Sequence, residues 1–581
     1  MQIMDTLRVP SFFQRNVLLG DPLIGLLWAL VGPSVDPRVW VRFSNLSLEE
    51  LAVVCDQAWE WFIHPTGAAH AAFPIRKNFE IGDVRGTRQL LRFPMKLRTT
   101  SVVRSSDAIK AFERVEDEVR SSALDEELTK RLRAIVASWF SSLRYEDLPF
   151  GHGPGAVSEG SLSLADKYLA VGTDSLLRYC YGDVSYVPNQ AFVRRSRLIV
   201  VPKNVLKDRT ICAEPATLMF YQKGVQRALY DYIARHPYLG RRIPLRDQTR
   251  NGRLALQASA SAWRWNGPWD EHTCSTIDLQ MASDRLSWAV VRSIFRGTPL
   301  LRHLWATRSR EVVLPDGRIL PLAKFAAMGS ALCFPVQSIV YAACCEDAAR
   351  SESSRFKTWS VFGDDIICHA AIHDRVVESL GRLGLVINHS KTFSGAHPFR
   401  ESCGVEAFDG QDVTPVTLTG LSRSSEGIMA ALDKAGEFFS AGNNLASIYL
   451  YQWVYANLPR KLRPFLDVGP DAYYKFAFDL FQGKTRWSKR YQRTQRPMIL
   501  AHVVEQKVPN DELRLYHHLL LLRQRACQPW AERRGRYGVS TLGRTIMWFD
   551  SDINPILPES SVGSDPYTDR ARLGPLTVGW L

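Results

Sequence analysis

The chain has 581 residues, 46% of them apolar, which indicates a globular protein with substantial cores and room for several domains. Lysine and arginine outnumber aspartate and glutamate by 73 to 59, so the formal charge is +14. This balance favours a polyanionic partner, although an ordinary soluble basic protein would also fit. The ten cysteines include no Cys-x-x-Cys pair, which indicates neither zinc nor disulfides and fits a reducing cytoplasm.

The amino-terminal part shows neither a signal-peptide pattern nor a membrane span. No stretch approaches the ~20 uninterrupted apolar residues that a spanning helix needs. The apolar run 17–31 is interrupted by Gly20, Asp21 and Pro22, so it predicts a core element. We therefore expect no membrane partner.

The next part of the chain combines a basic run with helical patterns. Bases are frequent from 76 to 104, where a solvated face and an RNA contact are both compatible with the pattern. Apolar residues then recur at helical spacing over 109–119 and over 124–139, which predicts two amphipathic helices.

A second basic segment reads as strand and turn. Five bases fall within fifteen residues: Arg195, Arg197, Lys203, Lys207 and Arg209. Such a concentration of charge can neutralise a triphosphate, and an ordinary solvated hairpin could have the same composition.

Carboxylates follow at a predicted strand end. Ser275 to Leu279 reads as a short strand with Asp278 at its end, and Asp284 stands six residues further on, before a helical run from Leu286. A turn of small residues, 327–331, then leads into a helix-length apolar run, 332–345.

Residues 358–370 have the pattern of a β-hairpin with two carboxylates at its tip. Apolar runs flank Gly363-Asp364-Asp365, and a tight turn needs the glycine. Two like charges ~4 Å apart repel by roughly 4 kcal/mol at an effective dielectric of 20, so the pair favours a bound cation. Carboxylates suit Mg²⁺ or Mn²⁺, and two such ions serve nucleotidyl transfer. An exposed turn is the alternative.

The order of these segments carries a resemblance. TIDLQMASD, AAMGSALCF, VFGDDIIC, NHSKTF, FRESCG and DVTP resemble motifs A to E of the levivirus replicase catalytic subunits, the RNA-dependent RNA polymerases of positive-strand RNA bacteriophages. Residues 201–209, with Glu214-Pro215 after them, resemble the basic finger motif of that family. The resemblance covers roughly residues 150 to 420.

The resemblance implies a fold and an activity. The fold would be α+β, a right hand with an N-terminal region and fingers over 1–270 (finger motif 195–215), a palm over 271–420 and a thumb and C-terminal region over 421–581. An antiparallel palm sheet would carry the Gly-Asp-Asp hairpin. The activity would be RNA-directed RNA polymerisation from ribonucleoside triphosphates, replicating a phage genome in the cytoplasm of the bacterial host.

The resemblance also implies roles for particular residues. Asp278, Asp364 and Asp365 would hold two Mg²⁺ ions, or Mn²⁺, and Lys391 would protonate the departing pyrophosphate, unless it is simply a solvated lysine. The nucleotide-binding residues would be Lys203, Lys207, Arg209, Asp284, Gly329 and Ser330. Asp284 and Ser330 would face the ribose, with a helix cap as the alternative for Asp284. Host elongation factors Tu and Ts and ribosomal protein S1 would be partners, beside RNA template and product.

The chain departs from the family pattern at three places. Ser330-Ala331 stands where asparagine and glycine are usual, Gln337 where glutamate is common, and Phe362 where tyrosine is usual. A reverse transcriptase and a non-catalytic palm-fold RNA-binding protein remain as rival functions. Asp284 argues against the first, and the retention of all three metal-binding aspartates against the second.

Two features follow the family motifs. Helical runs over 429–439 and 448–458 are assigned to the thumb, and bases surround Trp487 and Tyr491 in the segment 484–496. Mixed bases and aromatic rings are typical of single-stranded RNA binding.

Overall fold

The computed structural model describes residues 81–97, 102–143, 148–153, 155–182 and 192–460, together with single positions between 50 and 57 and short strands between 486 and 580. Within these residues the chain combines helices with several small, mainly antiparallel sheets. The predicted α+β class is thereby confirmed. The apolar run 17–31 lies outside the described residues.

Helices occur through most of the described chain. In chain order they are α1 (Ile81–Arg92), α2 (Val102–Ser121), α3 (Glu126–Phe140), α4 (Leu164–Leu169), α5 (Ser175–Tyr181), α6 (Ala216–Arg235), α7 (Thr249–Ala260), α8 (Ala282–Arg285), α9 (Trp288–Ile294), α10 (Leu300–Ala306), α11 (Cys333–Arg350), α12 (His373–Arg382), α13 (Ser425–Ser440) and α14 (Asn444–Asn457).

The strands are short. They are β1 (Arg195–Pro202), β2 (Asp208–Ala213), β3 (Cys274–Ile277), β4 (Leu279–Gln280), β5 (Glu311–Val313), β6 (Ile319–Pro321), β7 (Trp359–Phe362), β8 (Asp365–His369), β9 (Val386–Ile387), β10 (Phe399–Ser402), β11 (Val405–Phe408), β12 (Gln411–Asp412), β13 (Arg486–Ser488), β14 (Arg493–Gln495), β15 (Pro497–Leu500), β16 (Val503–Val504), β17 (Arg572–Leu573) and β18 (Thr577–Trp580).

The central sheet has the strand order β3-β8-β7 and is antiparallel throughout. Pairing of Ile277 with Ile366 brings the end of β3 beside the start of β8, and Phe362 pairs with Asp365 across the hairpin turn. The predicted hairpin and its antiparallel sheet are therefore confirmed, and the register places Asp278 next to the tip.

The largest hydrophobic core packs around this sheet. Helix α11 is buried along nearly its whole length, including Val336, Ile339, Val340 and Cys344, because its sequence is apolar on every face. Helix α3, which was predicted from its periodicity, adds Leu128, Leu132 and Ile135 among others to the same core. The sheet is thus a rigid platform for the hairpin tip.

Two further sheets flank the platform. The basic segment forms the hairpin of β1 and β2 in a sheet of order β2-β1-β5-β6, as its strand-and-turn pattern predicts. Strands β10, β11 and β12 form an antiparallel sheet that packs against α7. Both sheets present a turn toward the central hairpin.

Helices α13 and α14 confirm the two helical runs predicted after residue 420. They pack against each other, and Phe438 and Leu450 share a core cluster with Phe93, Met95 and Val205. The segment assigned to the thumb therefore contacts the amino-terminal region and the basic hairpin. The domain limits at 270 and 420 stay predictions.

Other sequence features have mixed outcomes. The basic run 76–104 contains Arg88, which is fully buried and ion-paired with Glu406, so this arginine is structural and contacts neither solvent nor RNA. The segment 484–496 lies largely outside the described residues, apart from the β13 and β14 hairpin. Among the described helices, none has the length and apolar character needed to cross a bilayer.

Candidate active site

The turn at the tip of the central hairpin is specified by its glycine. Gly363 has φ +65°, the left-handed conformation that the first central residue of a type II′ turn requires. A β-carbon at this position would overlap the ring of Phe334, and the Gly363 N–H donates a hydrogen bond of 2.9 Å to Ser338 Oγ. Helix α11 thus fixes the turn, and the turn presents Asp364.

Asp278 is clamped from the side by the segment after β9. Its N–H donates to Thr392 Oγ1 at 3.1 Å, and its backbone oxygen accepts from the Asn388 N–H at 2.9 Å. The side-chain amide of Asn388 also donates to Asp278 Oδ2 at 2.6 Å. One carboxylate oxygen of Asp278 is therefore engaged by the protein.

Asp365 is held by the turn between β10 and β11. Cys403 and Gly404 both have positive φ, +51° and +77°, as a two-residue hairpin turn of type I′ requires. The Cys403 N–H donates to Asp365 Oδ1 at 3.0 Å, and Ser402 Oγ donates to the same oxygen at 3.3 Å. The FRESCG segment therefore supports an aspartate.

The three aspartates lie within electrostatic reach of one another. Burial raises the pKa of Asp278 to about 6, and the Asp364 charge adds to this, although Lys391 and the Asn388 hydrogen bond oppose it. Burial likewise raises the pKa of Asp365 to about 6, with Asp364 and Asp278 adding to it against the Cys403 hydrogen bond. The site has an excess of negative charge that a cation would relieve.

The donor set suits a divalent cation, but the carboxylates are not gathered. In the part of the chain that the structure describes, no three His, Cys, Asp or Glu side chains are close enough together to form a metal-binding group. The two raised pKa values and the carboxylate chemistry fit Mg²⁺ or Mn²⁺. Asp278, Asp364 and Asp365 are the residues that would hold such an ion.

Lys391 lies within electrostatic reach of Asp278 and is half-exposed. Its ammonium donates to Glu401 Oε1 at 2.9 Å. Burial lowers the pKa of Lys391, but the ion pair with Glu401 and the charge of Asp278 outweigh burial and leave the pKa raised. The lysine is therefore protonated and positioned by β10.

The hairpin of β1 and β2 brings one of the predicted basic residues, Lys203, near the aspartates. Lys203 is exposed, yet partial loss of solvation around its ammonium lowers its pKa. The charges of Arg209 and Lys391 lower this pKa further, whereas Asp278 and Asp364 raise it. Arg209 is exposed nearby. Lys207 is exposed at the hairpin tip, and no contact links its ammonium to the aspartates.

The tip of the β1 and β2 hairpin has a defined conformation. Asn204 Oδ1 accepts from the N–H groups of Leu206 and Lys207 at 2.9 and 2.7 Å. The buried Val205 donates its N–H to the Met95 backbone oxygen at 3.0 Å. The asparagine and the valine thus hold the turn in place, while the basic side chains remain exposed.

Asp284 is buried and forms an ion pair with Lys324. Its Oδ1 lies 3.0 Å from the Lys324 ammonium, which also lies 3.3 Å from Glu116 Oε2 and over the Phe112 ring. The helix-cap alternative is wrong, because Asp284 lies inside α8 and Ser287 caps α9 through the Val290 N–H.

Gly329 and Ser330 form a tight turn before α11. Gly329 has φ +116°, and a β-carbon there would overlap the Cys212 backbone oxygen. Ser330 Oγ donates to Gln222 Oε1 at 3.1 Å, so its hydroxyl is already engaged. Burial raises the pKa of the Cys333 thiol at the start of α11, and the charges of Asp284 and Asp364 raise it further. Cys333 therefore lies within electrostatic reach of both acidic segments.

Two of the three departures from the expected pattern are accommodated in a plain way. Phe362 packs edge-on against Phe334, with ring centroids 4.9 Å apart, so the missing hydroxyl leaves the packing intact. Gln337 is buried on α11, with Oε1 3.9 Å from the Cys333 thiol.

Sequence reasoning missed several residues that organise the site. Asn388 and Glu401 lie in quoted motifs but were given no role. Lys324 and Glu116 were not singled out, although each carried a signal. Lys324 interrupts a run of apolar and small residues, and Glu116 stands four residues after Phe112 on the apolar face of α2. A charge in an apolar setting predicts a buried partner.

The architecture defines an α+β protein with three aspartates around an antiparallel hairpin. The chain belongs to the RNA replicase beta-chain family, whose profile matches residues 168–554. A phage SP protein named RNA-directed RNA polymerase subunit beta is 34% identical over 253 residues, 43% of this chain and 40% of that protein.

Two further relatives are also named as RNA-directed RNA polymerase beta chains. The phage fr RNA-directed RNA polymerase beta chain is 32% identical over 293 residues, 49% of each chain. The phage MS2 chain of that name is 36% identical over 219 residues, 38% of this chain and 36% of that one. The chain thus spans between about a third and a half of the length of these relatives.

A solved structure is similar at lower identity. The RNA-dependent RNA polymerase of a human picorbirnavirus is 14% identical, with a TM-score of 0.46, over 74% of this chain and 85% of that chain.

Proposed function

We propose that this protein is an RNA-directed RNA polymerase that copies a positive-strand RNA phage genome from ribonucleoside triphosphates. The observation that carries the proposal is that Asp278 lies beside the hairpin of Asp364 and Asp365, within electrostatic reach of both, with raised pKa values for Asp278 and Asp365. Membership of the RNA replicase beta-chain family supports it. The reaction would take place in the cytoplasm of the bacterial host.

The three aspartates would hold two Mg²⁺ ions, or Mn²⁺. Such ions lower the pKa of the attacking 3′-hydroxyl and hold the triphosphate. The chain supplies the rest: Asn388 and Cys403 orient two of the carboxylates, and Gly363 presents the third.

Basic residues would serve the triphosphate and the leaving group. Lys203 lies within electrostatic reach of Asp278 and Asp364, which suits a base that meets the incoming phosphates, and Arg209 and Lys207 would extend this surface. Lys391, held protonated by Glu401, would donate a proton to the departing pyrophosphate.

The ribose would be read by Asp284 and the turn at Gly329 and Ser330. Asp284 forms a buried ion pair with Lys324, which holds its side chain in place. Elongation factors Tu and Ts and ribosomal protein S1 are proposed host partners, and purification from the host with identification of co-purifying proteins tests them.

The central experiment is metal-dependent extension of an annealed RNA strand by the parent and by Asp364→Asn. This variant should lose extension while keeping its thermal stability and its RNA affinity. Asp374→Asn on α12, an exposed aspartate outside the site, is the matched control and should extend RNA normally. Retained turnover in Asp364→Asn would overturn the metal assignment.

The same assay separates the rival functions. A reverse transcriptase would extend with deoxynucleotides in preference to ribonucleotides. A non-catalytic RNA-binding protein would bind the annealed RNA and extend it with neither, at any concentration of Mg²⁺ or Mn²⁺.

A further inference from the structure

An arginine-rich surface lies between α6 and the middle of α7, outside the motifs that define the site. We call it the arginine patch, and it consists of Arg241, Arg242, Arg246, Arg250 and Arg253. Arg241, Arg246 and Arg253 are exposed, and the other two are half-buried. A charged helix end is usually just solvated, so position and charge balance decide whether this one binds something.

The patch is attached to the catalytic hairpin at two points. The backbone oxygen of Arg242 accepts from the Val361 N–H at 2.8 Å, at the free edge of β7. Asn251, next to Arg250, donates to the Asp365 backbone oxygen at 3.2 Å and accepts from Ser360 Oγ at 2.7 Å. The arginines are thus fixed relative to the aspartates.

The charge of the patch is not balanced by the described protein. Arg246 pairs with Asp231 at 2.6 Å and Arg253 with Asp247 at 3.5 Å. Among the described residues no carboxylate forms an ion pair with Arg241, Arg242 or Arg250. Five arginines therefore face two carboxylates on this surface.

Two of the arginines are constrained. The Arg242 guanidinium lies between the rings of Tyr238 and Trp359, 4.6 and 4.7 Å from their centroids. Arg250 Nε is buried and has no hydrogen-bond partner among the described residues. Burial lowers the pKa of Arg250, and the charges of Arg253 and Arg241 lower it further. An anion at this surface would relieve both the repulsion and the unpaired donor.

We propose that the arginine patch binds the phosphate backbone of the growing RNA strand just behind its 3′ end. The proposal rests on the proposed function, because polymerisation is what places a 3′ end at Asp364 and its neighbours. Successive phosphates of one strand are only a few ångström apart along a duplex, so the first few behind the 3′ end remain close to the hairpin. The patch, attached to the same hairpin, is placed to contact them.

The test compares two variants with equal loss of charge. The first is Arg241→Gln/Arg250→Gln/Arg253→Gln. The control is Arg355→Gln/Arg375→Gln/Arg382→Gln, three exposed arginines elsewhere, of which Arg375 and Arg382 pair with carboxylates. Affinities for a template alone and for the same template with an annealed strand are measured over a range of salt, without nucleotides.

The patch variant should lose two to three units of salt slope for the annealed RNA, at about 0.7 to 0.9 per phosphate contact, and little for the template alone. The control should lose little for either RNA. An equal loss in both variants, or an equal loss for both RNAs, would overturn the proposal. The second result would make the patch a template contact or a general RNA surface.

Two additions keep the outcome interpretable. Arg241→Gln/Arg253→Gln changes only exposed residues, so it serves if the triple variant loses thermal stability, and it should lose one to two units of slope. Binding is measured without turnover, so an inactive parent would overturn the polymerase proposal and leave the binding result readable by itself.

Discussion

The ammonium of Lys324, which is fully buried, lies 3.0 Å from Asp284 Oδ1 and 3.3 Å from Glu116 Oε2. Helix α2 thereby supplies a second carboxylate to the base that neutralises Asp284. Breaking a buried pair by removing one partner leaves an uncompensated charge, which typically costs about 3–5 kcal/mol. Asp284, the residue proposed to select the sugar, is thus tied to the amino-terminal part of the described chain.

The first prediction concerns sugar choice. Asp284→Ala should lower the ratio of ribonucleotide to deoxynucleotide incorporation about tenfold, because a carboxylate that accepts the 2′-hydroxyl contributes about 1–3 kcal/mol of discrimination. The measurement is the incorporation efficiency with each sugar. Lys324→Met, by contrast, should lower the thermal stability of the protein. An unchanged ratio in Asp284→Ala would place sugar selection elsewhere.

The second prediction concerns pH and stability without metal. Because the folded pKa of Asp278 and of Asp365 is about 6, above the ordinary value near 4, the folded state holds extra protons between these pH values. Both carboxyls therefore cost stability as pH rises from about 4 to about 6, and the full cost remains above that.

Asp278→Asn and Asp365→Asn should then each gain about 1–3 kcal/mol relative to the parent at pH 8, and much less at pH 4. Thermal unfolding in a chelator at both pH values measures this, with Asp374→Asn as the control. A gain that is equal at pH 4 and pH 8 would show that the carboxylate charge is not the cause.

The third prediction concerns Lys391. Lys391→Leu should slow single-turnover incorporation tenfold or more, on the order of a typical proton-transfer contribution. Lys391→Arg keeps the charge for Glu401 but is a poor proton donor, so it should preserve thermal stability better than Lys391→Leu and remain slow. A normal rate in both variants would show that the lysine serves only the ion pair.

The fourth prediction concerns Gly329. Gly329→Ala should destabilise the fold by several kcal/mol, because the backbone has φ +116° and the new methyl group would overlap the Cys212 oxygen. Gly381→Ala on α12 is the control, since nothing lies within 4 Å of its β-carbon position and alanine favours the helix by about 1 kcal/mol. Thermal unfolding of both variants decides, and equal unfolding temperatures would contradict the close approach.

Local patterns were sufficient to predict much of this molecule. The apolar periodicity of α3 and the glycine at Gly363 each act within a few residues, so the helix and the hairpin were predictable. The convergence of Asp278 with the hairpin was expected only through the resemblance. Its physical cause, the register of Ile277 with Ile366, joins residues far apart in the chain.

Partners from distant segments could not be predicted in the same way. Lys324 is a partner of Asp284 only because α2 and the segment before α11 meet around it. The backbone oxygen of Arg242 accepts a hydrogen bond from Val361 at the edge of the central sheet, which leaves no trace in the side-chain pattern. The alternative of a helix cap at Asp284 is wrong for a related reason, since Ser287 is an equally good cap three residues later.

The hydrogen bonds to the aspartates also set limits on which cation the site can select. Asn388 engages Oδ2 of Asp278, and Cys403 and Ser402 engage Oδ1 of Asp365, so one oxygen of each carboxylate already accepts hydrogen bonds from the protein. An ion that bound both oxygens of either carboxylate would compete with these donors. Calcium favours six to eight oxygen ligands and often takes bidentate carboxylates, whereas magnesium keeps several waters and accepts few protein oxygens. An amide side chain and a hairpin turn that need never touch the metal would thus favour magnesium over calcium at the proposed site.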